Sequence, residues 1–258
     1  MANRDQQQQK DNRNMKLTGK TALITGGGRG IGRAIALACA EAGADVAMLG
    51  RTQAEIDAVA AEITVMGRMG VAEVCDVTDR TAVDRAIAAA VEKLGRLDIL
   101  VNNAGGGIER SRIGEDDPDN WVAAIEVNLH GTYFCTRAAL PHLKAAGNGK
   151  IINVGSGMGH QPRQGNSSYN AAKAGVWMLT RCLAMELWDD GIEVNELIPG
   201  PVYTELTSEI FPQGGAHPSI EGEQVKLPED VVPIAMFLAT HPPGGPTGQT
   251  FSLARRPI

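Results

Sequence analysis

The sequence predicts an α/β fold: one doubly wound, seven-stranded parallel sheet with helices on both faces, in a single domain at 16–258 behind a loose tail at 1–15. Three observations predict it. Short apolar runs alternate with longer amphipathic segments from Thr21 onward, the pattern of a parallel sheet covered on both sides. A glycine-rich turn, TGGGRGIG (Thr25 to Gly32), lies where the first apolar run gives way to a helical period. No linker interrupts the 258 residues, a length that one continuous core supports, and 43% hydrophobic against 21% charged residues suits a globular chain.

TALITGG (Thr21 to Gly27) reads as a strand entering a turn, and IGRAIALACAEAG (Ile31 to Gly43) as a helix with Gly43 as its C-cap. DVAMLG (Asp45 to Gly50) is the second strand. The helix TQAEIDAVAAEITVMG (Thr52 to Gly67) follows, with Thr52 as cap and Glu55 at the capping-box position. GVAEVCDV (Gly70 to Val77) is a third strand, Asp79 to Gly95 a helix, and RLDILVNNAG (Arg96 to Gly105) a fourth strand running into small residues. Pro118 to Gly147 holds one long helix, or two joined near Asn128 and Gly131. KIINVGS (Lys150 to Ser156) is a strand, Ser167 to Gly191 a helix and IEVNELIPG (Ile192 to Gly200) a strand. Between 201 and 227 the periodicity fails among Pro201, Pro212, Gly214, Gly215, Pro218 and Gly222, which predicts a binding loop or lid. PEDVVPIAMFLA (Pro228 to Ala239) resumes as a helix with Pro228, Glu229 and Asp230 in its first turn, and TGQTFSL (Thr247 to Leu253) is the last strand.

A formal charge of −6 argues against a nucleic-acid binder, which needs a basic surface to displace counterions from phosphate. Cys39, Cys75, Cys135 and Cys182 form no CxxC pair and meet no histidines at metal spacing, so no metal site is expected and they read as reduced, mostly buried small hydrophobes. The tail carries the run Gln6 to Gln9 between charges and no apolar stretch before Leu17. No later apolar run reaches the ~18 residues of a membrane span. These features predict a soluble cytoplasmic protein.

The glycine turn places backbone N–H groups at a helix start, where they meet phosphate, and its glycines allow a ligand close approach. The same cluster is compatible with an ordinary tight turn. Its spacing at Gly26, Gly30 and Gly32 departs from GxGxxG and matches TGxxxGxG. Further motifs fall in order: NNAG at Asn102 to Gly105, Asn128 in EVNLHG, Ser156, the YxxxK pair Tyr169 and Lys173, and PGPVYT from Pro199 to Thr204. On these motifs, from Leu17 to Leu253, the chain resembles the classical short-chain dehydrogenase/reductase family, near its 3-oxoacyl thioester reductase-like members. The resemblance implies a single-domain Rossmann fold binding a nicotinamide dinucleotide.

On that resemblance Thr25, Gly26, Gly28, Arg29, Gly30, Ile31 and Gly32 cradle the pyrophosphate and adjacent ribose. Asp76 and Val77 meet the adenine, although an aspartate there equally suits a helix N-cap. Asn103, Ala104 and Gly105 lie beside the cofactor, while Pro199, Gly200, Val202 and Thr204 reach its nicotinamide end; Thr204 equally suits a helix cap. The second strand ends in Gly50, Arg51 and Thr52, with no acid to hold a ribose diol, so Arg51, aided by Arg29, favours NADP over NAD, unless Arg51 is a solvated helix-flanking charge.

Tyr169 and Lys173, four apart on one helical face, would emerge together. A nearby ammonium lowers a phenol's pKa from about 10. The family pattern assigns Tyr169 as proton donor to the carbonyl oxygen, Ser156 as its hydrogen-bonding polariser, Lys173 to the phenolate and the nicotinamide ribose, and Asn128 to a water linking the lysine to solvent. Ser156, Met158, Tyr169, Tyr203 and Phe211 are the substrate-side candidates, with Gly107, Ile108, Gly157, His160 and Leu206 as further pocket positions. The expected activity is NADPH-dependent reduction of a ketone or 3-oxoacyl-type substrate. The alternatives are oxidative, NAD(P)-dependent alcohol or polyol dehydrogenation and a non-catalytic nucleotide-binding scaffold. The family pattern also implies a homodimer or homotetramer. The ending SLARRPI, with Arg255 and Arg256, departs from the valine, aspartate and paired glycines of many relatives.

Overall fold

The structure is a computed structural model that describes residues 16–107 and 110–255. The expected tail, Ile108 and Arg256 lie outside the described residues. Seven strands form one parallel sheet: β1 (Thr21–Thr25), β2 (Asp45–Gly50), β3 (Gly70–Val74), β4 (Ile99–Asn102), β5 (Lys150–Val154), β6 (Glu193–Ile198) and β9 (Thr250–Ser252). Their order is β3-β2-β1-β4-β5-β6-β9. The winding reverses between β1 and β4, where Ala22 lies opposite Ile99 and Ile24 opposite Val101. In an open α/β sheet a ligand crevice forms outside the carboxyl ends of the strands at such a reversal.

Alternate side chains of β1 feed two cores, as a two-residue strand period requires. Ala22 and Ile24 pack with Ile35 and Cys39 of α1 (Gly30–Glu41), Ile56 and Ile63 of α2 (Gln53–Val65) and Leu238 of α7 (Val232–Thr240). Leu23 faces the other way, into a core with Ile87 of α3 (Arg80–Leu94), Leu143 of α5 (Gly131–Ala146) and Leu183 of α6 (Ser167–Glu186). Both faces of the sheet are covered, which is why β1, β2 and β4 are nearly continuous apolar runs.

Boundaries differ from the sequence reading at several ends. Ala42 closes α1, and Gly43 (φ +98°) follows it. Thr52 precedes α2 but its hydroxyl caps nothing; its carbonyl accepts from the N–H groups of Glu55 and Ile56. The segment from Pro118 to Ala146 is continuous: α4 (Pro118–Ile125), one π-helical turn (Glu126–His130) and α5. That wide turn falls on Asn128. The irregular segment carries a two-stranded hairpin, β7 (Gly215–Ala216) with β8 (Gln224–Val225). Cys39, Cys75 and Cys135 are buried and free, whereas Cys182 is exposed. Among the described residues, no helix is long and apolar enough to cross a membrane.

A chain of buried amides ties the central strands to their helices. Asn102 donates to Thr136 Oγ1 (3.0 Å) and Asn153 Oδ1 (2.8 Å), and Asn153 donates to Thr180 Oγ1 (2.9 Å). Asn102→Leu strips a donor from two buried acceptors and is expected to cost about 1–3 kcal/mol, since stranded polar groups lose their hydration without replacement. Urea unfolding followed by circular dichroism measures this as a lower midpoint at unchanged slope.

Candidate active site

Thr25 ends β1 and serves as a staple. Its hydroxyl accepts from the backbone N–H groups of Asn103 and Ala104, each at 3.0 Å, while Asn103 Nδ2 donates to the carbonyls of Thr25 (3.0 Å) and Gly26 (3.2 Å). The end of β4 thereby fixes the course of the glycine turn. Gly32 stands behind the turn, and a Cβ there would run into the Gly26 carbonyl oxygen. α1 begins at Gly30 after Arg29, with no side-chain cap on its first N–H groups. Those donors are left for a ligand.

A cavity of about 910 Å³ runs over the carboxyl edge of the sheet. Gly26, Gly28, Arg29, Gly30 and Ile31 line it at the turn, Arg51, Asp76 and Val77 at one end, and Asn103, Ala104 and Gly105 along its floor. Ser156, Met158, Tyr169, Lys173, Pro199, Gly200, Val202, Thr204 and Phe211 line the rest. Thr25, Gly32, Asn128 and Tyr203 are off its wall.

Arg51 is exposed and has no ion pair among the described residues, whereas Arg29 stands 3.7 Å from Glu55. Asp76 is not a helix cap. Its Oδ1 accepts from the backbone and hydroxyl of Thr78 in a local turn, and Asp79 caps α3 by accepting from Thr81 and Ala82. Thr204 caps no regular helix either; its N–H donates to Thr207 Oγ1, and its methyl stands 3.1 Å from where a Cβ on Gly30 would lie.

Ser156 lies two residues beyond β5, and its Oγ accepts from Met158 N–H (3.2 Å). Tyr169 and Lys173 share one face of α6. Lys173 Nζ donates to the Val154 carbonyl at 2.8 Å and stands 5.7 Å from the centre of the Tyr169 ring. Burial pushes the Lys173 ammonium down to about 8, opposed by the negative charge of Glu196. Burial raises the Tyr169 phenol above its ordinary value, and the hydrogen bond with Ser156 opposes the rise. The lysine effect expected on the phenol does not prevail here: desolvation is the larger influence, and the opposing one comes from the serine.

Asn128 is fully buried. Its amide donates to the carbonyls of Gly106 (2.8 Å) and Ala124 (2.9 Å) and accepts from Gly106 N–H (3.0 Å). It clamps the strand exit instead of facing the cavity. Gly105 passes so close that a Cβ on it would lie 2.5 Å from Asn128 Oδ1 and 3.6 Å from Lys173 Nζ.

Among the substrate-side candidates, Met158 and Phe211 line the cavity with Gly107, Gly157 and Leu206, but Tyr203 and His160 do not. Tyr203 is held by its backbone, which donates to the Lys226 carbonyl (2.8 Å). His160 turns away to Glu196, 2.9 Å from Nε2. The sequence reading missed Val127, Gln161, His217 and Ile220, all on the wall. The last two belong to a segment without periodicity, so no signal marked them.

Comparison with known proteins agrees with this geometry. The sequence profile described as short chain dehydrogenase matches residues 20–214. A 3-oxoacyl-[acyl-carrier-protein] reductase of Synechocystis sp. is 37% identical over 243 residues, 92% of this chain and 96% of that protein. The 2,5-dichloro-2,5-cyclohexadiene-1,4-diol dehydrogenase LinX of Sphingobium indicum is 38% identical over 231 residues, 87% of this chain and 90% of its own. The crystal structure of a dehydrogenase/reductase from Sinorhizobium meliloti superposes with a TM-score of 0.85 at 34% identity, covering 95% of this chain and 97% of the other. The chain therefore belongs to the short-chain dehydrogenase/reductase family, near its 3-oxoacyl reductase-like members, and is an NAD(P)-dependent oxidoreductase.

Proposed function

We propose that the protein reduces a ketone or 3-oxoacyl-type carbonyl with NADPH, using Tyr169 as the general acid. The observation that carries the reading is one continuous cavity with Arg51 at one end and Ser156, Tyr169 and Lys173 at the other. The cradle fits a dinucleotide: Gly26 and Gly30 have φ of +64° and +51°, and the uncapped start of α1 faces the same space. Gly26, Gly28, Gly30 and Ile31 would hold the pyrophosphate side, Asp76 and Val77 the adenine, and Gly105, Pro199, Gly200, Val202 and Thr204 the nicotinamide side. A bound nicotinamide supplies hydride to the carbonyl carbon.

The residues of this chain then manage the charge that grows on the carbonyl oxygen. Ser156 orients that oxygen by hydrogen bonding, and Tyr169 delivers a proton to it. A phenol held above its ordinary pKa stays protonated through neutral pH, the form that reduction requires. Lys173, anchored on Val154, keeps positive charge beside the phenolate left behind. Asn128 acts by fixing the backbone at Gly105 and Gly106. The enzyme works in the cytoplasm as a homodimer or homotetramer.

Arg51→Ala is expected to raise the KM for NADPH about tenfold or more and leave that for NADH nearly unchanged, because a charge-assisted bond to the 2′-phosphate is worth about 1.5–3 kcal/mol. Steady-state kinetics with both cofactors measures it; equal losses would remove Arg51 as the source of selectivity. The diol dehydrogenase among the relatives favours a second reading, oxidation of an alcohol or polyol by the same tyrosine acting as base. A panel of ketones, 3-oxoacyl thioesters and diols, run in both directions, separates the two.

A further inference from the structure

Behind the catalytic helix lies a carboxylate that the reaction scheme does not use. Glu196 sits mid-strand on β6, opposite Asn153 of β5, and is completely buried. Its Oε2 accepts from Thr250 Oγ1 of β9 (2.8 Å) and meets His160 Nε2 at 2.9 Å. Its Oε1 is buried and has no hydrogen-bond partner among the described residues. That oxygen presses on the Gly155 backbone, and a Cβ on Gly155 would collide with it. Gly155 follows Val154, whose carbonyl anchors Lys173 Nζ.

An acid so placed is costly, because a desolvated carboxylate with an idle oxygen has lost hydration that nothing on that side replaces. A packing role is better served by a neutral residue of the same size. The charge gains a purpose from its neighbours. Lys173 of α6 is also buried, and the negative charge of Glu196 acts on it to favour the ammonium. The other titratable groups around the pair are His160, from the turn after β5, and Tyr169, from α6 itself. His160 is in turn held by Trp177, ring centres 5.0 Å apart, one helical turn beyond Lys173; Arg181 stacks outside on that indole at 5.7 Å. Two buried, oppositely charged groups thus approach the same strand end from the sheet and from the helix.

We propose that Glu196 is a positioning residue: its buried carboxylate, braced by His160 and Thr250, is the counter-charge that keeps Lys173 protonated beside Tyr169. The inference rests on the assignment of Tyr169 and Lys173 to proton transfer, but its test does not need turnover. Lys173 lines the cavity, so a small acylating reagent reaches it. The full chain, without cofactor, is acetylated competitively with acetic anhydride across a pH series, and the labelling of Lys173 is quantified by peptide mass spectrometry. The unmodified protein should label with a midpoint near 8. Glu196→Gln is expected to lower that midpoint by about one pH unit, since removing a nearby negative charge makes the ammonium a stronger acid. Glu196→Met, neutral and of similar length, should lower it likewise, and decides the matter if the glutamine variant does not fold. His160→Gln, which keeps a donor to the carboxylate, should stay near the unmodified value. An unchanged midpoint in Glu196→Gln, or in Glu196→Met where that variant stands alone, overturns the proposal. So does a fall in His160→Gln as large as that in Glu196→Gln, which would assign the effect to packing. A protein inert toward every carbonyl in the panel would sink the proposed reduction and leave this measurement standing.

Discussion

Tyr169→Phe is expected to lower kcat for carbonyl reduction by roughly 10²–10⁴-fold, the usual worth of a positioned general acid. The substitution removes one oxygen from a wall whose backbone is set by α6, so the cavity keeps its shape. The dissociation constant for NADPH, measured by fluorescence titration, should change little, which separates lost chemistry from lost binding. The pH response supplies a second check. In the unmodified protein burial holds the phenol above its ordinary value near 10, so the proton donor is present at neutral pH and lost only as pH rises past that range. Oxidation in the reverse direction needs the phenolate and should therefore climb with pH. In Tyr169→Phe the residual rates should show neither dependence. Full-speed turnover by the phenylalanine variant would remove Tyr169 from the mechanism.

The legible part of this fold was its repeating unit. Strand and helix alternate visibly because parallel strands buried on both faces must be continuous apolar runs, and helices packed on one face must repeat every 3.6 residues. Capping was harder to read. Asp76 and Asp79 both stand near a helix start, and which carboxylate meets the free N–H groups depends on a local turn at Thr78. Thr52 has the right residue type and position, yet its hydroxyl makes no cap.

The site divides in the same way. Gly26 and Gly30 were visible in the glycine turn, and helical spacing put Tyr169 and Lys173 on one face. Ser156 and the joint role of the three side chains were legible only through the resemblance to the family motifs. His160 looked like a pocket residue from its nearness to Ser156, but Glu196, thirty-six positions away in sequence, claims its ring. His217 and Ile220 reach the cavity through the hairpin of β7 and β8, whose two-residue strands carry too little periodicity to reveal themselves. Contacts across the sheet, more than local pattern, decide which polar groups face the ligand.

Gly32→Ala is the substitution expected to damage the cofactor cradle most. Gly32 lies on the first turn of α1, pressed against the inner side of the glycine turn. An added Cβ would run into the Gly26 carbonyl oxygen and come within 2.6 Å of Asn103 Nδ2. Neither atom belongs to a flexible side-chain end. The carbonyl is backbone, and the amide is already bonded to Thr25 and Gly26. Relief requires the turn and α1 to separate, which also breaks the staple between Thr25 and the exit of β4. Overpacking of this kind costs about 1–3 kcal/mol, or roughly 2–12 °C of melting temperature in a chain of this size. The loss of NADPH affinity should exceed what instability alone explains, because the N–H groups that face the phosphates move with the turn. Gly107→Ala is the comparison: among the described residues, its chain neighbours aside, no atom lies within 4 Å of its Cβ position, so its melting temperature should match the parent. Thermal unfolding with and without NADPH reads both effects. A Gly32→Ala protein that melts like its parent and gains the same stabilisation from NADPH would show that the turn can yield, and that the contact between Gly32 and Gly26 does not hold the cradle in shape.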